Sequence, residues 1–158
     1  MKLLKYITAI AGIVLFFTTC KKYPQGGFQN RATKHILATW HLDLYEVNGI
    51  DSTNLINNNG EEMFKEVSVN KNGTKTSLSI SVAGFTYGAH LTDNNQILSV
   101  TGHPNPVKCN VYQGQTYCWR AIFSPEGNNS KWTIVKLKKN EFVLALQENA
   151  SYLIKLSK

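Results

Sequence analysis

The sequence predicts an all-β antiparallel domain, and three observations carry the prediction. Short segments in which apolar and polar residues alternate with a period of two follow one another from Trp40 to the C-terminus. Turn-forming pairs such as Asn48-Gly49, Asn72-Gly73 and Ala83-Gly84 separate them. No helical stretch between the segments is long enough to carry a crossover, which takes about a dozen residues or more, so a parallel α/β sheet is excluded. The chain has 158 residues, 42% hydrophobic and 17% charged, enough for one domain with a full core and too apolar for a disordered tail. About nine or ten strands without crossovers leave a closed up-and-down barrel or a two-sheet sandwich.

In chain order, the first element is an export signal. Lys2 and Lys5 precede an apolar run from Tyr6 to Phe17 and the small residues Thr18 and Thr19, a layout too short for a membrane span of about 20 apolar residues. Phe17-Thr18-Thr19-Cys20 resembles the lipobox of bacterial lipoproteins. The resemblance implies that residues 1–19 are removed and that Cys20 becomes the first residue, carrying diacylglycerol on its thiol. It also implies an envelope protein held on the bilayer, in the outer membrane, by its N-terminal acyl chains. Without Lys2 and Lys5, 15 basic residues face 10 acidic ones. Residues 20–29, with Pro24 and Gly26-Gly27, read as a flexible tether reaching at most about 30 Å, and residues 30–158 as the domain.

The domain opens with a short helix, Arg31 to Ala38, with Asn30 as its cap and Ile36 and Leu37 turned to the core. Strands are expected at Trp40 to Val47, Met63 to Val69, Thr74 to Val82, Phe85 to Leu91, Gln96 to Thr101, Val107 to Tyr112, Thr116 to Phe123, Trp132 to Lys138, Phe142 to Leu146 and Tyr152 to Leu156. The alternation is clearest where Leu78, Ile80 and Val82 interleave with serines, and where Phe85, Tyr87, Ala89 and Leu91 share a face. Cys109 and Cys118 flank the turn Gln113-Gly114. Counting outward pairs Val111 with Thr116, Asn110 with Tyr117 and Cys109 with Cys118, which brings the thiols opposite each other at a spacing a disulfide accepts. An exported location favours that disulfide over a metal site, which would need further ligands.

The layout resembles the lipocalin-like domains of small Gram-negative lipoproteins. Those open with a short helix and a Trp-led strand ending in an Asn-Gly turn, matched by Trp40-His41-Leu42 and Val47-Asn48-Gly49. They close with a Trp-led strand, a Leu/Phe-rich strand and a Tyr-x-Ile-x-Leu strand, matched by Trp132-Thr133-Ile134, Phe142-Val143-Leu144 and Tyr152 to Leu156. The resemblance implies an antiparallel up-and-down lipocalin-like β-barrel of about 8–10 strands with one short N-terminal helix. Ala38 stands where lipocalins carry the Gly of Gly-x-Trp, and Lys155 is the residue available in place of the Arg that covers the Trp.

Chemistry-bearing constellations are sparse. His35, His41, His90 and His103 fall in four segments without metal-ligand spacing, no hydrolase motif occurs, and nothing pairs two of the ten acids. No catalytic residue, metal or cofactor is assigned, and no nucleic-acid partner, since there are only two arginines on an exported chain. Lys131, Lys136, Lys138 and Lys139 gather near one strand, either to meet an anionic surface or to guard an exposed strand edge. Tyr117, Trp119, Ala121 and Phe123 share one face with Tyr112 nearby, either filling the barrel or lining a cavity for a small amphipathic ligand. Were the other face inward, Arg120 would be a buried cation calling for an anionic ligand group. Asp51-Ser52-Thr53 matches an O-glycosylation sequon at Ser52. The expected function is a non-enzymatic envelope carrier using Tyr112, Tyr117, Trp119, Arg120 and Phe123. The alternative is a protein-interaction module with a packed, ligand-free barrel.

Overall fold

The computed structural model describes residues 21–55, 65–73, 77–82, 85–102, 107–112 and 115–158, with the side chains of residues 30, 55 and 107–120 excepted. The expected export signal, Cys20 and the Gln113-Gly114 turn lie outside the described residues. The strands are β1 (Ala38–Val47), β2 (Ile50–Asp51), β3 (Glu66–Lys71), β4 (Ser77–Val82), β5 (Phe85–Thr92), β6 (Ile97–Val100), β7 (Val107–Tyr112), β8 (Gln115–Arg120), β9 (Ser130–Lys138), β10 (Glu141–Gln147) and β11 (Ser151–Ser157). A 3₁₀ turn at Gln29–Arg31 leads into the helix α1 (Ala32–Ile36).

The sheet runs β11-β10-β9-β6-β5-β4-β3-β1, all neighbours antiparallel, and β1 pairs again with β11, so eight strands close into a barrel. That decides between barrel and sandwich, and it is the lipocalin-like architecture. Among the described residues β2 pairs only with the tail of β1, and β7 and β8 form a separate ribbon. Asn48 and Gly49 both take positive φ, +52° and +77°, the conformation that a two-residue hairpin between β1 and β2 requires.

Alternation puts one face of each stave inside. Leu78, Ile80 and Val82 of β4 and Phe85, Tyr87, Ala89 and Leu91 of β5 are buried while their neighbours are not. Two bulges reset the phase. In β1 the register shifts between Leu42 and Leu44, so Trp40, Leu42 and Tyr45 all point inward. In β9 Val135 is the extra residue, since Val143 opposes Lys136 and Leu144 opposes Ile134. The shift keeps Trp132, Ile134 and Leu137 inside and leaves Lys131, Lys136 and Lys138 outside. β9 lies between β6 and β10, so these lysines do not guard an edge.

The base of the barrel is where the structure departs most from the tether expectation. Residues 21–31 are folded across it. Tyr23 is 2% exposed and donates its hydroxyl to the Asn95 carbonyl, Asn95 Nδ2 donates to Gln29 O at 3.2 Å, and Gly27 forms a parallel bridge with Leu137. A Cβ on Gly27, which has φ +90°, would stand 1.8 Å from Leu137 O, so only glycine permits this approach. The segment docks because Tyr23, Ala32 and Ile36 offer apolar surface that the barrel mouth buries.

Helix α1 is shorter than expected. Its N-cap position is Arg31, with no side-chain capping bond, and Asn30 lies in the preceding 3₁₀ turn. Trp40 Nε1 donates to Ile36 O at 2.9 Å, which holds the helix against β1. The cation over Trp40 is Lys158, whose Nζ stands 4.2 Å from the ring centroid. Lys155 is exposed instead, because its neighbours Ile154 and Leu156 take the inward positions.

Candidate functional site

The carrier expectation turns on the barrel interior. Trp40, Trp132, Tyr87, Phe85, Phe123 and Phe142 are each at most 2% exposed, and all belong to one core cluster. Rings interlock across it: Trp40 and Phe142 centroids are 5.6 Å apart, Tyr87 and Phe123 5.8 Å, and Phe123 and Trp132 6.2 Å.

The mouth opposite the base is closed by a plug. β8 ends at Arg120, three residues earlier than the alternation suggests, and Ala121, Ile122, Phe123 and Ser124 turn into the barrel, all at most 1% exposed. The Phe123 carbonyl accepts from Ser130 Oγ at 2.6 Å and from Trp132 Nε1 at 2.9 Å, so the plug is tied to β9. Burial raises the phenol pKa of Tyr87, partly offset by hydrogen bonding with the Phe123 backbone. Phe123 is therefore a core residue, packed between Tyr87 and Trp132.

Tyr112, Tyr117, Trp119 and Arg120 lie on the β7–β8 ribbon. β6 and β9 pair directly with each other, Ile97 opposite Thr133 and Val100 opposite Ser130, so the ribbon, inserted in the chain between them, supplies no stave. Aromatic alternation alone made it look like part of the wall. Its register is the one counted from the turn: Val111 opposes Thr116, Asn110 opposes Tyr117, and Cys109 opposes Cys118.

The sequon residues have a local use. Asp51 Oδ1 accepts from Thr53 N at 2.9 Å and Thr53 Oγ1 at 2.6 Å, which holds the Asp51 carboxyl below its usual pKa. Ser52 is 7% exposed, with its hydroxyl donated to Ile50 O at 3.2 Å. The tripeptide is thus a turn with the serine inward.

Sequence reading missed the outer wall. A groove of about 360 Å³ runs between the rim ends of β9, β10 and β11, lined by Thr133, Ala145, Leu153, Tyr152, Gln147 and Glu46. The outward positions Ala145 and Leu153 oppose each other across β10 and β11, giving it an apolar floor. Asn149 Nδ2 donates to Glu126 Oε2 at 2.6 Å, linking the β10–β11 loop to the plug loop. Burial and then the Glu126 charge raise the pKa of Glu148, and the same two causes, in that order, raise that of Tyr152. Ile50, 69% exposed, stands at the tip of the β1–β2 hairpin beside this groove. A break in alternation at Val143-Leu144-Ala145 was the one available signal, and it does not say which face is outside. Among the described residues no three His, Cys, Asp or Glu side chains are placed to hold a metal ion.

Comparison of the chain with protein-family models, with curated proteins and with solved structures finds no match.

Proposed function

We propose that this chain is an exported, non-enzymatic envelope lipoprotein, anchored through Cys20, whose barrel is a packed scaffold presenting its rim and outer wall to a protein partner. The observation that carries the reading is the doubly closed, aromatic-filled barrel: Tyr23, Ala32 and Ile36 fill one mouth and Phe123 the other. A carrier needs an enclosed apolar site of about 300 Å³ or more with an entrance. The wall groove floored by Ala145 and Leu153, with the β1–β2 turn beside it, offers apolar contact rimmed by polar groups, the composition of a partner site. A Cys109–Cys118 disulfide would stiffen the ribbon, and the directly opposed register supports it.

Site-specific photocrosslinking in the intact envelope tests the reading. A probe at Leu153 is expected to capture one discrete partner, and the added substitution Ala145→Glu to abolish the capture, while a probe at exposed His90 on β5 captures none. Equal labelling from both positions, or capture indifferent to Ala145→Glu, sinks it. Loss of acyl labelling in Cys20→Ser tests the anchor separately.

A further inference from the structure

The base of the barrel gathers positive charge at the end remote from the wall groove. Lys21, Lys22, Arg31, Lys34, Lys139 and Lys158 are all exposed and all belong to the docked N-terminal segment, α1, the β9–β10 turn or the C-terminus, which meet at this end. Contacts tie them into one face. Lys158 Nζ lies over Trp40 and within 3.4 Å of the His35 carbonyl, and the Lys138 stem runs against Gly26. The His35 pKa is lowered by burial and then by the charges of Lys158, Arg31 and Lys34, and that of Lys158 by burial and then by Lys139. Three of the acids nearest this end are Asp93 in the β5–β6 turn, Asp43, bonded to His41 and Ser157, and Glu141, held by Lys136 at 2.6 Å. On the docked segment, beside Lys22, stands Phe28, 41% exposed, with Lys22 Nζ 5.2 Å from its ring centroid.

We infer that this basic face, with the exposed Phe28 beside Lys22, lies flat on an anionic bilayer and sets the orientation of the whole domain. Exposed lysines with one exposed aromatic match a headgroup layer: the cations meet phosphates, and the ring enters the boundary where headgroups give way to acyl chains. Chain continuity favours a bilayer over any other polyanion. Lys21 O accepts from Gln29 N at 3.2 Å, so the chain is already docked one residue after Cys20, and consecutive Cα atoms stand only about 3.8 Å apart. On the reading that Cys20 carries the acyl chains, on which this inference rests for its orientation, no slack remains to let the barrel tumble. The closed base faces the membrane, and the rim with its groove faces away, toward a partner.

The test uses the full chain purified from its envelope and reconstituted into vesicles of phosphatidylcholine with or without phosphatidylglycerol. Two readouts are taken: amine labelling of Lys34, Lys139 and Lys158, and quenching of a Phe28→Trp variant by brominated acyl chains. With phosphatidylglycerol present, the three lysines should become protected and the introduced indole quenched, while Lys131 near the rim stays reactive in both vesicles. Each of Lys34→Gln and Lys139→Gln should lower the ratio of base-down to other orientations about fivefold. Unchanged lysine reactivity on phosphatidylglycerol overturns the inference, and so does protection without quenching, which denotes polyanion binding and no bilayer contact. Release from the vesicles by high salt, with protection intact at low salt, counts against the Cys20 anchor and for the basic face.

Discussion

The two ends of the barrel are closed by opposite means. At the base, a segment outside the strand cycle is laid across the mouth, held by a backbone bridge at Gly27, by Tyr23 and Asn95, and by the helix carrying Ile36. At the rim, an internal loop drops Phe123 into the core and hangs its carbonyl on Trp132 and Ser130. The base is a lid and the rim a plug. A segment outside the strand cycle is expected to open before the barrel unfolds, whereas a plug is part of the packing and cannot leave without costing the fold.

Removing the plug should have the largest effect. Phe123→Ala is expected to cost about 3–5 kcal/mol in denaturant unfolding, the range for a buried aromatic that leaves a cavity. A loss under about 1 kcal/mol would mean that Phe123 is not packed as described. Breaking the lid should cost less. Gly27→Val forces a β-branched residue to φ +90° against Leu137 O, an expected loss of about 1–3 kcal/mol, read as faster amide exchange confined to residues 21–31. Exchange rising across all staves would show that the lid and the barrel are one cooperative unit.

Alkaline titration probes the same lid more gently. Burial pushes the Tyr23 phenol up to about 12, and a group whose folded pKa is raised gives stability that is full below its ordinary value near 10 and lost as pH rises through the folded value. The lid should therefore release between about pH 10 and 12, seen as tyrosinate absorbance coupled to exchange at residues 21–31. In Gly27→Val that absorbance step should move back toward about 10. The smallest effect is at His35. Its folded pKa lies below the ordinary 6.5, so stability from this group is present above that value and lost as pH falls through the folded one. Lys34→Gln should raise the value toward 6.5 by NMR titration, and no movement would separate Lys34 from the basic face.

What the sequence disclosed follows the same division. The staves were legible because a half-buried strand leaves a two-residue pattern, and the ribbon register followed from counting outward from Gln113-Gly114. The helix was placed within a few residues by Ile36 and Leu37. Both closures were hidden. Tyr23 sits among Lys, Pro and Gly, a composition that reads as linker, and its burial depends on a partner, Asn95, 72 residues away. Phe123 continued the alternation of Tyr117 and Trp119, so nothing local marked where β8 stops and the plug begins. The bulges at Asp43 and Val135 interrupt the alternation in β1 and β9, two of the strands that flank the outer groove, because an extra residue reverses which face the next one takes.

The central proposal is that the barrel is a closed, packed scaffold working through its outside. Saturable binding of lipids, bilins and apolar dyes, followed by tryptophan fluorescence, tests it most directly, with the wild type and Phe123→Ala measured side by side. A closed barrel predicts no saturable binding to the wild type and dye uptake only in Phe123→Ala, where a vacated apolar site opens at the rim. Stoichiometric, saturable binding by the folded wild type would contradict it.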